Sequence, residues 1–313
     1  MIENTGLEIP LATHSFRQRY LYAFATQGEV LNHIRTQALR EEAERLPQIL
    51  RAWEEQQAIV TRLAAQETGT VEAIRVEQVP ANYNSQLKAV TEDGLFSKTF
   101  AHLPTTFALV EADKLVAAQR TVNLDYVERL RGRYPEQPTM DDLIQICLSP
   151  KRAMNPIQHL EVAPNTHVFS SPNSDIRFLG AFVKDLTSDD LEWAVAGGLP
   201  AAAIIAFVGY GGAPVNVLRV GNRVVLNNGF HRIFALRSLG VEMIPVVVQH
   251  IRNVQLEFPP QVAGLPREYL LNVPRPVLIK DFFEQSLCVT LKVRERIKMV
   301  TVGISLGQHE VPS

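Results

Sequence analysis

Residues 213–248 read APVNVLRVGNRVVLNNGFHRIFALRSLGVEMIPVVV. Two runs rich in β-branched residues, 215–220 and 223–227, flank Gly221-Asn222, and a two-residue Gly-Asn connection between such runs predicts a tight hairpin. Asn227-Asn228-Gly229 then supplies turn chemistry. The apolar spacing now lengthens: Ile233, Leu236 and Leu239 line one face of a helix that Gly240 stops. Residues 243–249, MIPVVVQ, return to strand character. Hairpin, glycine turn, helix and strand in that order predict an α+β domain, a mixed sheet with a helix packed on it.

Upstream of this stretch, 107–110 reads as a strand ending in turn-like 111–114. Helices are predicted at Leu124–Arg131 and 140–147, the second opened by Thr139 and Asp142 in the form of a capping box. Residues 149–176 are rich in Pro, Asn and Ser and read as loop with at most one short strand, a linker or long insertion. Thr187 or Ser188 caps a predicted helix through Asp189, Asp190 and Trp193 to Ala196. The apolar run 199–208 predicts a buried strand or core helix, because some ten residues fall short of the roughly 20 that span a bilayer. Gly209-Tyr210-Gly211-Gly212 follows, a turn or a backbone loop beside a ligand. It has no Lys-Ser/Thr after it and is not a P-loop.

The N-terminal residues read as helical. From Ser15 as N-cap a pattern runs through Phe16, Tyr20 and Phe24 to a break at Gly28. Val30, Leu31, Ile34 and Ala38 mark a second helix; Ile49, Leu50, Trp53, Ile59, Val60 and Leu63 mark a third. Such helices imply a bundle or a partner-binding surface. Residues 71–79, VEAIRVEQV, read as a strand stopped by Pro80. Near the C-terminus, Leu287, Val289, Leu291 and Val293 alternate with Lys292, Arg294, Arg296 and Lys298, so one strand carries a basic face, with a bulge near Met299. That face serves either as a charged edge that discourages pairing or as a dock for an acidic partner, nucleic acid or phosphate.

Composition narrows the function classes. With 31 Lys and Arg against 33 Asp and Glu, the formal charge of −2 lacks the basic excess expected of a protein that wraps a polyanion. Two cysteines, Cys147 and Cys288, exclude a disulfide scaffold, and no Cys/His pair stands at zinc spacing. His159 and His167 fall in the Pro/Asn-rich stretch without a ligand partner at metal spacing. No secretory signal or membrane span is read, which predicts a cytoplasmic protein.

The spacing of Pro214-Val215, Gly229, His231, Arg232, Ala235, Leu239-Gly240 and Ile244-Pro245-Val246 resembles the ParB/sulfiredoxin superfamily, whose pattern runs "PI-x-V…G-x-(H/R)-R-x-x-A…LG…IPV-x-V". FALVEADKL, at 107–115, is similar to the opening strand of such domains. The resemblance implies four regions: a helical N-terminal region (1–70), a connecting strand and loop (71–103), a ParB/sulfiredoxin-like domain with an insertion (104–255) and a β-containing extension (256–313). It also implies a phosphate near Gly229, His231 and Arg232, with Arg177 or Arg237 as a second charge. Asn228, Phe230, Gly211 and Gly212 would line the pocket, and the cofactor would be a nucleoside triphosphate with Mg²⁺. Helix-start geometry agrees, since a glycine turn leaves the first helical N–H groups outward at the positive dipole end. Asp175 and Asp185 are candidate carboxylates for the metal; no general base is named.

Two departures stand out. Sulfiredoxin's cysteine is replaced by Phe230, which removes that reductase chemistry. ParB's "G-E-R-R-x-R-A" is GFHRIFA here, so two charged side chains are lost and an Arg becomes His231. No helix-turn-helix follows. Three readings result: a nucleotide- or phosphate-binding protein of NTPase or phosphotransferase type; an inert scaffold that binds a protein partner or itself through the helical region; and a ParB-like DNA-binding or nuclease protein.

Overall fold

The computed structural model describes residues 15–149, 156–171, 176–187, 190, 200–211, 213–295 and 297–309. Strand β1 (Ser15–Tyr20) precedes helices α1 (Gln27–Gln37), α2 (Arg40–Ala43) and α3 (Leu46–Gln66), then β2 (Val76–Glu77), α4 (Asn84–Thr91) and α5 (Gly94–Thr99). Strands β3 (Thr105–Glu111), β4 (Val116–Ala117) and β5 (Thr121–Asn123) lead into α6 (Leu124–Arg131) and α7 (Met140–Leu148). Four strands follow: β6 (Gln158–Ala163), β7 (Thr166–Ser171), β8 (Ile176–Asp185) and β9 (Ala202–Tyr210). The motif contributes β10 (Asn216–Val220), β11 (Arg223–Asn228), α8 (Phe230–Ser238) and β12 (Met243–His250). Helix α9 (Val254–Glu257), the short pair β13 (Gln261–Val262) and β14 (Leu265–Pro266), α10 (Arg267–Asn272), β15 (Val289–Arg294) and β16 (Lys298–Gly303) complete the order.

The chain forms two compact units, the larger from Ala12–Arg152 with Gly212–Glu295, the smaller including Ala153–Gly211 and the segment from Arg296. The larger unit holds a six-stranded mixed sheet in the order β2-β3-β12-β10-β11-β4. The predicted hairpin is β10–β11, turning at Gly221 with φ +58°. Helix α8 then carries the chain across to β12, parallel to β10, and β12 pairs antiparallel with β3 from Met243↔Glu111 to Gln249↔Thr105. Both faces of the hairpin are covered. Val217, Val224 and Leu226 join Ile233 and Leu236 of α8 in the main core; Leu218 and Val225 join Phe258, Leu270 and Leu278 in a second one. Burial on two faces is why this stretch reads as continuously apolar. Leu239 is only half-buried at the end of α8.

The N-terminal residues depart from an all-helical reading. Residues 15–20 are strand β1, paired with β15 on one side and β5 on the other. Phe16 and Tyr20 are four apart, a spacing that also fits period two. Gly28 does not break a helix: it lies within the first turn of α1, where Thr26 and Glu29 form a capping box. Val30, Ile34, Ala38 and Ile49, from the helices read as a bundle or a partner-binding surface, pack on Tyr22, Leu291 and Val293 of the same chain, while Leu31 is exposed. Of 71–79 only Val76–Glu77 is strand, because Gly69 in the left-handed region starts a 3-10 turn over 70–73. The capping box of Thr139 and Asp142 forms as predicted.

In the smaller unit, the Pro/Asn-rich stretch is more regular than its composition implies. Strands β6 and β7 make a hairpin through Pro164-Asn165, with Asn165 at φ +59°, and β16 pairs with β7. Strands β8 and β9 form a separate two-stranded ribbon. The run 199–208, read as buried, is largely the exposed strand β9: Ile204 is 64% and Phe207 48% exposed. Nor does one basic strand run through 287–299. Lys292 and Arg294 lie on β15 in the larger unit, Lys298 lies on β16 in the smaller, and Arg296 is outside the described residues. The expected bulge is instead the passage of the chain from one unit to the other. Thr187 donates through its N–H and hydroxyl to Asp190 (3.0 and 3.1 Å). Ser188, Asp189 and the remainder of that predicted helix lie outside the described residues.

Candidate anion site at the start of the motif helix

Gly229 ends β11 and turns the chain into α8 with φ +98°, and its N–H donates to Asn228 Oδ1 (2.8 Å). No side chain caps α8. To this point the local chemistry matches an anion-binding turn.

The two side chains expected to complete the site are engaged elsewhere. His231 Nε2 accepts the N–H of Asn123 (3.3 Å), and Tyr126 meets the ring edge-on at 5.1 Å. An accepting Nε2 places the proton of the neutral ring on Nδ1. Burial pushes the imidazole down to about 4, so His231 carries no charge at neutral pH. Arg232 Nη1 donates to Ile146 O (3.2 Å) and Nη2 to Ala213 O (2.5 Å). Ile146 is in the last turn of α7, so the guanidinium sits at the negative end of that helix. Phe230 is buried against Phe282, centroids 5.0 Å apart.

Of the supporting residues, Arg237 lies in the larger unit and Arg177, Gly211 and Asp185 in the smaller. Arg237 makes a two-point ion pair with Asp113 (2.5 and 3.1 Å) and lies over the Phe283 ring. Arg177 and Gly211 belong to the smaller unit, where a Cβ on Gly211 would stand 2.7 Å from the Arg177 guanidinium carbon. That glycine makes room for an arginine of its own unit. Gly212 and Asp175 lie outside the described residues, and Asp185 ends β8. Within the larger unit, Arg237 is taken up by Asp113 rather than by the Gly229 turn. A cavity of about 240 Å³ opens beside Glu72, Asn222, Arg223 and Asn272. Asn222 is at the opposite end of β11 from Asn228, roughly 20 Å away at strand rise.

Cys147 and Cys288 are both pushed up to about 12 by burial, so neither is a ready thiolate nucleophile. Asp142 is held below the usual carboxylate range by the side chain and backbone of Thr139, which accounts for it as a cap. Among the described residues no cluster of three or more His, Cys, Asp or Glu is arranged to hold a metal. Sequence reasoning missed the pairing of His159 with His167. The signal was present: two alternating runs separated by Pro164-Asn165.

His231 gives a pH test. Its folded value, about 4, lies below the ordinary 6.5, so between these values the unfolded chain binds a proton that the folded chain does not. Its contribution is complete above pH 6.5 and is lost as the pH falls toward 4, up to about 3 kcal/mol in all. Urea unfolding across that range should show this slope, and His231→Gln should flatten it. An unchanged slope in the variant would refute the assignment.

The chain matches no family model, no curated protein and no solved structure.

Proposed function

We propose that this chain is a non-catalytic assembly protein that associates with further copies of itself through the β8–β9 ribbon. The observation that carries the reading is the ribbon's surface. Phe182 and Phe207 stack on one face at 5.5 Å, and the register puts Val183 opposite Ile204 on the other. Phe182 is 49% and Val183 64% exposed. Residues 178–183 and 202–210 contain no charged side chain. Isolated two-stranded ribbons are marginal in water, and apolar surface on both faces makes this one more so.

A second copy suits this surface better than other occupants. The uncharged middle of the ribbon, 178–183 with 202–210, is complementary to the same surface of another copy, and among the described residues the outer strand edges pair with no further strand. Strands of nine to ten residues give about 300 Å² on each face, about 600 Å² over both, against the roughly 800 Å² per partner of a stable complex, so stable association has to use both faces and the strand edges. Asp185 at the end of β8, with Asp189, Asp190 and Glu192 in the sequence between the strands, opposes an anionic membrane surface or nucleic acid. Among the described residues no helix is long and apolar enough to cross a membrane. The engagement of His231 and Arg232 in packing also favours a fold used without catalysis.

Light scattering on size-fractionated full-length chain should give a defined oligomer at micromolar concentration. Phe182→Lys with Ile204→Lys, one substitution per face, should weaken association by about 100-fold or more while leaving the circular dichroism unchanged. A monomeric wild type, or an oligomer indifferent to both substitutions, would sink the reading. The nucleotide reading keeps one observation, the left-handed Gly229 before an uncapped helix start. A rise in melting temperature with ATP, CTP or GTP plus Mg²⁺ would restore it. The ParB/sulfiredoxin resemblance is supported by the motif's β10, β11, α8 and β12 forming consecutively, with the 107–110 strand paired to β12.

A further inference from the structure

We propose that His159 and His167 form a surface site for a divalent late transition metal, Cu²⁺ or Ni²⁺, on the β6–β7 hairpin. His159 Nε2 stands 3.1 Å from His167 Nδ1, with ring centroids 5.2 Å apart. Metal–imidazole bonds of about 2.0–2.1 Å across that separation subtend roughly 98° at the ion. This angle lies between the square-planar and tetrahedral ideals, so a single ion can take both nitrogens after small ring rotations.

Local structure holds the pair. His159 is opposite Phe169 in register and stacks on its ring at 4.9 Å, which limits the imidazole's rotation. His167 is opposite Glu161, two residues from His159 on the same strand, so a carboxylate shares the face and adds attraction for a cation. The strand β16 on the far side of β7, where Val302 is opposite His167, fixes the backbone that presents His167.

In the metal-free pair one of the two facing nitrogens donates its proton to the other. Binding needs a lone pair on both, so the ring protons move to His159 Nδ1 and His167 Nε2. Protonation of either ring competes with the ion for its lone pair. Two protein ligands with water completing the shell select by the Irving–Williams order, Cu²⁺ above Ni²⁺ and Zn²⁺. Mg²⁺ and Ca²⁺ prefer oxygen and are excluded.

Isothermal titration of the tag-free full chain with CuCl₂ and NiCl₂ should give one site, and Cu²⁺ electron paramagnetic resonance should show two equatorial nitrogens. Removing either imidazole converts a chelate to a single ligand, so His159→Ala and His167→Ala should each weaken binding about 100-fold. His102→Ala, at an exposed position elsewhere, should leave it unchanged. These variants lie on a surface, and circular dichroism will register any loss of fold. No binding of either ion, binding that survives both substitutions, or binding equally reduced by His102→Ala would overturn the proposal.

Discussion

Replacing Gly229 with alanine is expected to destabilise the larger unit by about 4 kcal/mol, lowering its melting temperature by roughly 10 °C. Two terms combine. A φ of +98° is outside the range an L side chain adopts without strain, a penalty of about 1–3 kcal/mol. The new Cβ would also stand 2.7 Å from Val215 Cγ2 and 3.0 Å from Cγ1, and Val215 is fully buried. A branched side chain at the base of the core cannot swing aside, so overpacking adds about 1–3 kcal/mol. Gly221→Ala separates the terms. Gly221 also has a left-handed φ, +58°, but nothing lies within 4 Å of its Cβ position, and about 1 kcal/mol is expected there. Val215→Ala combined with Gly229→Ala should recover the clash and leave the strain, a coupling of about 1 kcal/mol or more. Equal losses at the two glycines would show that the contact with Val215 does not matter.

That glycine marks the boundary of what could be read from sequence. The hairpin, turn, helix and β12 are consecutive, and each is signalled by its own residues: Gly221-Asn222, Asn228-Gly229, the spacing of Ile233 and Leu236, then Ile244 to Val248. Nothing in them specifies where His231 and Arg232 turn. Their partners are Asn123, 108 positions away, and Ile146, 86 positions away, brought close by the packing of α6 and α7. The same holds for β1. SFRQRY fits period two and period four alike, and the strand that decides between them is β15, paired as Ser15↔Arg294. The rule that apolar runs are buried failed at 199–208, because an exposed ribbon face there carries the same apolar composition as a core. A basic face was inferred across 292–298 by assuming one strand, whereas the chain changes units there.

The second large effect is expected at Asp281, where two distant parts of the chain are tied together. Arg275 and Asp281 are each 1% exposed, and their side chains meet through two parallel bonds of 2.7 and 2.6 Å. Asp281 Oδ2 also accepts the Leu278 N–H (2.8 Å), while Arg275 Nε donates to Glu67 (2.9 Å). Glu67 follows the end of α3 and accepts Lys280 as well (2.8 Å), so the N-terminal helices are anchored to residues 275–281 by a buried charge network. Asp281→Ala strands the guanidinium without its main partner and should cost about 3–5 kcal/mol. Replacing both members, Arg275→Met with Asp281→Leu, removes the unpaired charge and should recover most of that loss, because apolar groups of similar volume fill such sites well. A loss below about 1 kcal/mol for Asp281→Ala would place the pair with exposed ion pairs and refute its structural weight. Acid adds a second handle. Burial acts to raise the Glu67 carboxyl, but its bonds to Lys280 and Arg275 outweigh this and hold it below the usual range. Its stabilisation is therefore complete above the ordinary carboxylate pKa and fades as the pH falls through the lowered value. Glu67→Gln should remove that part of the acid sensitivity and leave the Arg275–Asp281 bonds in place.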